Sequence, residues 1–357
     1  MSPARQLAFE ILRLTAGGAH ADDLVHERGQ DLSDRDRALA CEIVFGALRH
    51  QAQLDYLIEA ISGRTATKLD SEVRLILRMA IYQMRYLERL PAHAVVSESV
   101  ELVKRARKRS ATGFVNAVLR KVDRRPVRFP DRATDLSMPA WMLERWERHY
   151  GVETATGIAR AFLERPETYM RGDRVQDIGS QSIVPLLGLE PGMRFLDLCA
   201  APGNKTAQAL ETGIRAVACD RSVKRLAALA GLRCDRVVLD GTQPLPFQRV
   251  FDRILVDAPC TGTGTIGRNP EIRWRIQPSD IDRQAERQRK LLRNALDCLG
   301  PGGRLVYSTC SLEPEENQGV IDAVIGENHQ WRVIQTMLRI PGREPGDGFF
   351  AAVLTST

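Results

Sequence analysis

The seven cysteines, Cys41, Cys199, Cys219, Cys234, Cys260, Cys298 and Cys310, include no CxxC pair, which argues against a zinc site; no metal is expected. Their odd number and their placement near the ends of apolar runs argue against a disulfide framework and for thiols in a reducing compartment. No apolar run approaches the ~20 residues of a membrane-spanning helix. The N-terminal MSPARQLAFEILRL lacks a signal-peptide core with a small-residue cleavage site, so a cytoplasmic location is expected. No internal repeat and no low-complexity tract is present.

What the 357 residues do contain is the balance of a soluble chain of two or three domains, 43% hydrophobic and 27% charged. Lys and Arg number 51 against 45 acids, a net charge of +6, which is compatible with a nucleic-acid partner. Residues 1–125 read as a bundle of about six helices. Leu7, Phe9, Ile11, Leu12 and Leu14 begin the first, and Ser33-Asp34 caps a helix over 37–48. Val73, Ile76, Leu77, Ala80, Ile81 and Met84 recur at helical spacing, Pro91 opens a further helix, and 113–122 forms the last. Five cations occupy the six positions 104–109, and Arg120, Lys121, Arg124, Arg125 and Arg128 follow. They form either a solvated helix end that complements the dipole or a phosphate-binding patch. Their number favours RNA, and the lack of interleaved aromatics implies a patch that positions rather than reads bases. Residues 126–177 read as a linker, with Pro126, Pro130 and Pro139, a helical stretch over 141–162 and a polar irregular segment over 164–177.

From residue 178 onward, short apolar runs alternate with helical patterns, which implies βαβ units and a mostly parallel sheet. Strands are expected at 194–198, 216–219, 236–239, 253–256 and 304–308, with a closing strand at 349–354 and helices at 180–187, 203–211, 279–299 and 314–325. Asp197, Asp220, Asp240 and Asp257 fall at or near strand ends, along the rim where such sheets bind ligands. One such Asp is usually a helix cap; four suggest a polar ligand. The turn after Asp197, CAAPGNKT, has small residues that let backbone approach a ligand, and it opens a helix whose N-terminus favours a carboxylate. It is neither GxGxxG nor GxxxxGK[ST], which disfavours a nicotinamide enzyme or a triphosphate. An acid after the second strand suits ribose hydroxyls, and one after the third suits an adenine amine. A nucleoside bearing an amino acid, S-adenosylmethionine, satisfies all three features.

The run Ile254, Leu255, Val256 fits a buried parallel strand, ended by Asp257 and by Pro259, with Cys260 and a glycine-rich loop beyond. RLVYSTCS delivers a second thiol, Cys310, to the same rim. Either cysteine alone would read as a core thiol. Two thiols and an acid beside a methyl donor suggest covalent activation of a poor nucleophile such as carbon 5 of a pyrimidine.

DLCAAPGNKT, VDAPCTGTG and YSTCSLEPEEN, in that order, resemble the signature stretches of the NOL1/NOP2/Sun family of RNA cytosine-5 methyltransferases. QDIGSQ and DGFFAAVL also match, and RDRALACEIVFGALR resembles the NusB-like domain of the bacterial Sun branch, which modifies small-subunit ribosomal RNA. The resemblance implies a Rossmann-like class I methyltransferase domain over 178–357, with a closing antiparallel strand, preceded by an all-α NusB-like domain over 1–125. It implies Cys310 as nucleophile, Cys260 as the thiol that assists product release, Asp257 as the group that orients cytosine, and Lys205 at the active site. It also implies cofactor contacts from Cys199, Ala200, Ala201, Pro202, Gly203, Asn204, Lys205, Asp220, Arg225, Asp240 and Asp257.

Two departures stand out. Asn204 replaces the usual second glycine of the cofactor turn, a conformation that Asn can often accept. Only residues 165–175 occupy the place of a small RNA-recognition-like subdomain, which throws RNA docking onto the helical region. The expected protein is a monomeric enzyme that methylates carbon 5 of a cytosine in 16S ribosomal RNA. The alternatives are a transfer-RNA substrate, or an RNA-binding assembly factor whose methyltransferase half is inert. Retention of both cysteines, Asp257 and the cofactor turn favours the enzyme.

Overall fold

Caps and apolar spacing divide the first 119 residues into helices, as a computed structural model shows; it describes residues 2–88, 90–327 and 329–356. Seven α-helices form where about six were expected: Pro3–Ala16, Ala21–Arg28, Asp34–Arg49, Gln51–Ser62, Ser71–Tyr86, Ala92–Arg105 and Thr112–Leu119. Ser33 caps the third, its hydroxyl accepting from the Asp36 N–H, and Asp70 caps the fifth through the N–H groups of Glu72 and Val73. Val73, Ile76, Leu77, Ala80, Ile81 and Met84 are all buried on one core with Ile11, Ile43 and Leu54. The helix Gln51–Ser62 escaped the sequence reading because only His50 separates it from its predecessor.

The chain divides into two compact units, residues 1–165 with 266–275, and residues 166–265 with 276–357. The division differs from the expected one in two ways. The stretch read as linker belongs to the helical unit up to Arg165 and carries the helices Arg132–Asp135, Ala140–Tyr150 and Val152–Ala161. A segment of the strand-rich half, 266–275, also packs within the helical unit. There Arg273 is fully buried and donates to the carbonyls of Ser137 (2.9 Å) and Phe162 (3.0 Å). Arg49 donates to the Gly267 carbonyl, the Trp274 indole N–H donates to the Leu48 carbonyl, and Glu271 accepts from the Ala21 N–H. Burial, reinforced by the Arg49 charge, depresses the Arg273 pKa to about 9.

Among its described residues the second unit holds nine strands: β1 Met170–Arg171, β2 Arg174–Val175, β3 Arg194–Asp197, β4 Arg215–Asp220, β5 Asp235–Val238, β6 Phe251–Asp257, β7 Leu299–Thr309, β8 Trp331–Arg339 and β9 Phe349–Ser356. β1 and β2 form an antiparallel hairpin in the segment read as irregular. The other seven make one sheet in the order β5-β4-β3-β6-β7-β9-β8. β3 to β7 run parallel, and β9 is antiparallel to both β7 and β8. Ile254, Leu255 and Val256 of β6 have no exposed surface, as a central strand covered on both faces requires. β8, missed in the sequence, lies at the sheet edge, and its half-exposed Ile334 and Leu338 break the apolar alternation. The helix expected at 314–325 is a 3-10 turn, Pro314–Glu316, followed by Gln318–Glu327.

Gly46 lets the ring of Tyr82 lie against the backbone of helix Asp34–Arg49, where a Cβ would stand 1.9 Å from the ring. Gly46→Ala is therefore expected to destabilise the helical unit by about 1–3 kcal/mol through overpacking. A urea midpoint identical to that of the parent chain would show that the ring has room to move.

Candidate active site

The carboxyl ends of five parallel strands surround one cavity of about 230 Å³. Cys199 and Ala201 enter it from the turn after β3, Asp220 and Arg225 from β4 and beyond, and Asp240 from the segment after β5. Asp257 and Cys260 come from β6 and its exit, Cys310 from the end of β7. The rest of the expected turn, Ala200, Pro202, Gly203, Asn204 and Lys205, does not line this space. Asp197 does not line it either: it is buried behind the rim, where it accepts from the Thr206 hydroxyl at 2.7 Å. The expectation of four rim acids thus reduces to three, because β3 is central and its last side chain points into the packed layer.

Asn204 has its own explanation. The left-handed conformation of the turn falls on Gly203 (φ 107°), while Asn204 is the first residue of helix Asn204–Leu210. Its side-chain amide donates to the Val175 carbonyl of the β1–β2 hairpin at 3.2 Å.

Asp220 and Asp240 each accept their hydrogen bonds through one oxygen. Asp220 accepts from the Ser222 N–H at 2.9 Å, and its other oxygen lies 3.6 Å from Arg225. Arg225 in turn donates to the Ala201 carbonyl at 2.8 Å, tying the cofactor turn to the segment after β4. Asp240 accepts from the Thr242 N–H and hydroxyl, bonds that depress its pKa and keep it ionised. Oriented acceptors of this kind suit the hydroxyls and amines of a nucleoside. Arg221, Arg287, Leu239 and Leu291 also line the cavity; Arg287 was missed because it is one of many cations on the helix Pro278–Leu296.

The reactive corner lies between β6 and β7. Asp257 pairs in register with Ser308, whose hydroxyl donates to Asp257 Oδ1 at 2.8 Å. The Lys205 ammonium donates to Asp257 Oδ2 at 2.6 Å and stands 5.3 Å from the centre of the Phe349 ring. Burial works against the charge on Lys205, but Asp257, and next to it Cys310, outweigh burial and raise its pKa. Cys260 and Cys310 face each other with sulfurs 3.4 Å apart. The sulfur–sulfur hydrogen bond, then burial, pushes the Cys260 pKa well up. Burial likewise keeps Cys199 a neutral thiol, reinforced by Asp197 and Asp257. Of the three cavity thiols, Cys310 alone has both a second thiol in hydrogen-bond contact and an electrostatic interaction with the Lys205 ammonium.

The expected phosphate patch is thinner than the sequence suggests. Lys104 and Arg105 pair with Glu101, Lys108 with Asp70 and Glu72, and Arg125 with Asp123. Arg124 donates to the Met84 and Leu87 carbonyls, and Arg120 to the Asn116 side chain. Arg107, Arg109, Lys121 and Arg128 are exposed and unpaired among the described residues.

A parallel sheet with this strand order, one antiparallel insertion and an acceptor-lined cavity at its carboxyl rim defines an S-adenosylmethionine-dependent methyltransferase domain, here joined to a helical domain. The model of the family described as 16S rRNA methyltransferase RsmB/F matches residues 184–355, and that of the NusB family matches residues 2–124. Ribosomal RNA small subunit methyltransferase B of Klebsiella pneumoniae (strain 342) is 31% identical over 424 aligned positions, which cover 96% of this chain and 98% of that protein. Its namesake from Shigella flexneri is 32% identical over 422 positions, with the same coverage of 96% and 98%. The crystal structure of PH0851 shares the fold, with a TM-score of 0.82 at 22% identity over 99% of both chains. The chain belongs to the ribosomal RNA small subunit methyltransferase B family.

Two outcomes follow for the cofactor half. Asp220→Ala should weaken S-adenosylmethionine binding by roughly 1.5–3 kcal/mol, the range for a hydrogen bond to a charged group; unchanged affinity by calorimetry would remove Asp220 from the site. Burial raises Asp197 from its ordinary 3.8 to about 7, with Thr206 pulling it down and Asp257 pushing it up. Between those two values the folded chain holds a proton that the unfolded chain has released. Stability should therefore be greatest below the lower value and fall, by up to about 4 kcal/mol, as pH rises through the window. Urea midpoints at pH 5 and pH 8 should differ less in Asp197→Asn than in the parent; equal differences would show that Asp197 is already ionised at the lower pH.

Proposed function

We propose that this chain methylates carbon 5 of a cytosine in small-subunit ribosomal RNA through a covalent Cys310–cytosine adduct. The observation that carries the reading is the thiol pair, 3.4 Å apart at the cavity mouth beside the Lys205–Asp257 ion pair. The names of the relatives support ribosomal RNA as substrate, and the net charge of +6 is compatible with it.

When bound, S-adenosylmethionine supplies an electrophilic methyl group. Asp220, Arg225, Asp240 and the turn at Cys199 and Ala201 would hold it. Cys310 attacks carbon 6 of the ring, its thiolate favoured by the Cys260 S–H and the nearby Lys205 ammonium. The new carbon–sulfur bond turns carbon 5 into an enamine carbon, which takes the methyl group. Asp257, its two oxygens fixed by Ser308 and Lys205, orients the amino edge of the base. Loss of the carbon-5 proton then lets the carbon–sulfur bond break and returns Cys310 as a thiolate. Cys260 assists that release, directly or as part of the proton-removing apparatus.

The two thiols therefore separate experimentally. Cys310→Ala should form no covalent enzyme–RNA adduct, whereas Cys260→Ala, incubated with the same RNA and cofactor, should accumulate one that survives denaturing electrophoresis. Accumulation in Cys310→Ala but not in Cys260→Ala would reverse the assignment and make Cys260 the nucleophile.

A further inference from the structure

The geometry points to Glu316 as the positioning residue that sets the distance between the two active-site thiols. It rests on the proposed roles of those thiols, but its evidence is a separate set of contacts. Glu316 has no exposed surface and does not line the cavity, so it cannot touch cofactor or substrate. Its carboxylate is nevertheless bonded to the residue that follows each cysteine. Oε1 accepts from the Thr261 N–H at 2.8 Å, and Oε2 accepts from the hydroxyls of Thr261 and Ser311. Gln288 closes the set: its amide donates to Glu316 Oε1 at 3.0 Å and to the carbonyl of Pro259, the residue before Cys260, at 2.9 Å.

Four donors occupy the roughly four lone-pair positions of a carboxylate. Cys260 thus lies between two anchored neighbours, Thr261 held by Glu316 itself and Pro259 held through Gln288, and Cys310 is followed by Ser311, also held by Glu316. The loops need such a tie. Both cysteines lie beyond the ladder hydrogen bonds of β6 and β7, and the loop after Cys260 contains Gly262 and Gly264. Two backbone bonds assist, from the Gly264 N–H to the Cys310 carbonyl and from the Gly348 N–H to the Gly264 carbonyl, both at 2.9 Å. The carboxylate also holds itself in place, since its own backbone carbonyl accepts from the buried Tyr307 hydroxyl at 2.6 Å.

A positioning role and a proton-relay role differ in what glutamine does. The amide of Gln at 316 can accept from the Thr261 N–H and Gln288 with its oxygen and donate to the two hydroxyls with its nitrogen. The tie survives while the titratable group is gone. Glu316→Ala removes the tie altogether.

The test uses full-length protein and two readouts. The first is phenylarsine oxide, whose arsenic bonds two adjacent sulfurs and releases one water as both thiols give up their protons; the Cys260→Ala variant identifies the capture that belongs to the pair. The second is kcat for methyl transfer to ribosomal RNA, with the KM for S-adenosylmethionine measured alongside. Glu316→Ala should lower kcat by about 10²-fold, the scale of an ångström-sized misplacement, and weaken arsenical capture about tenfold or more, while the KM for cofactor stays unchanged. Glu316→Gln should restore most of both. If Glu316→Ala no longer binds cofactor and is thus misfolded, Ser311→Ala, which removes one tie on the Cys310 side, should still weaken capture; unchanged capture overturns the proposal. It is also overturned if Glu316→Gln is as inactive as Glu316→Ala with capture intact, since Glu316 would then move protons. Arsenical capture does not depend on RNA, so a failure of the cytosine chemistry in the parent chain leaves this result readable.

Discussion

The parallel pairing of β6 with β7 is the constraint on which the active site depends. It aligns Asp257 with Ser308 and carries two cysteines fifty residues apart in sequence to neighbouring exits of the sheet. Strand pairing fixes positions only as far as the ladder runs, and both thiols lie beyond it. The last few ångströms are set by side chains, with Ser308 on Asp257, and with Thr261, Ser311 and Gln288 on the Glu316 carboxylate. A buried carboxylate costs much unless every lone pair is filled. Here each one has a donor, so a group that elsewhere would destabilise the fold makes it locally rigid.

Charge at the rim is distributed with few groups. Lys205 pairs with Asp257, lies near the Phe349 ring and interacts electrostatically with Cys310, so one ammonium faces both the acid and a thiol. Burial and neighbouring groups push the pKa values of Cys199 and Cys260 up. Across the cavity, Asp220 and Asp240 are each fixed through one oxygen by local hydrogen bonds, an arrangement that orients the carboxylate without closing the site. The rim thus holds a fixed acid, a close pair of thiols and acceptors oriented before any ligand arrives.

The segment 266–275 ties the sequence neighbourhood of Cys260 to the helical unit. Its Arg273 is buried with carbonyl partners rather than carboxylates, and Arg49 sits near enough to depress it further. Backbone carbonyls at Ser137 and Phe162 accept from Arg273 and that of Gly267 from Arg49, while Nε of both guanidiniums is buried without a hydrogen-bond partner, so hydrogen bonds to carbonyls offset only part of the cost of burying these cations.

Much of this was legible in the sequence because it is local. Helices declared themselves through the cap at Ser33 and through the three-and-four spacing of Val73 to Met84; the central strand did so through Ile254, Leu255 and Val256. The motif stretches around Cys260, Cys310 and the cofactor turn were readable for the same reason. Where alternation was broken the reading failed, as with β8, whose exposed Ile334 and Leu338 hide an edge strand. The sequence also could not tell which strand-end acid would face the ligand. Asp197 and Asp220 look alike in a string, yet one packs behind the rim against Thr206 and the other opens onto the cavity. Nor could it show that Asn204 reaches Val175, that Arg273 belongs to the helical unit, or that Glu316 gathers the neighbours of both thiols. The sequence by itself determined which elements form and which chemical groups stand at their ends, since those follow from neighbours within a turn or a strand. Only the tertiary structure decided which of those groups meet, because that depends on register and packing between segments far apart in the chain.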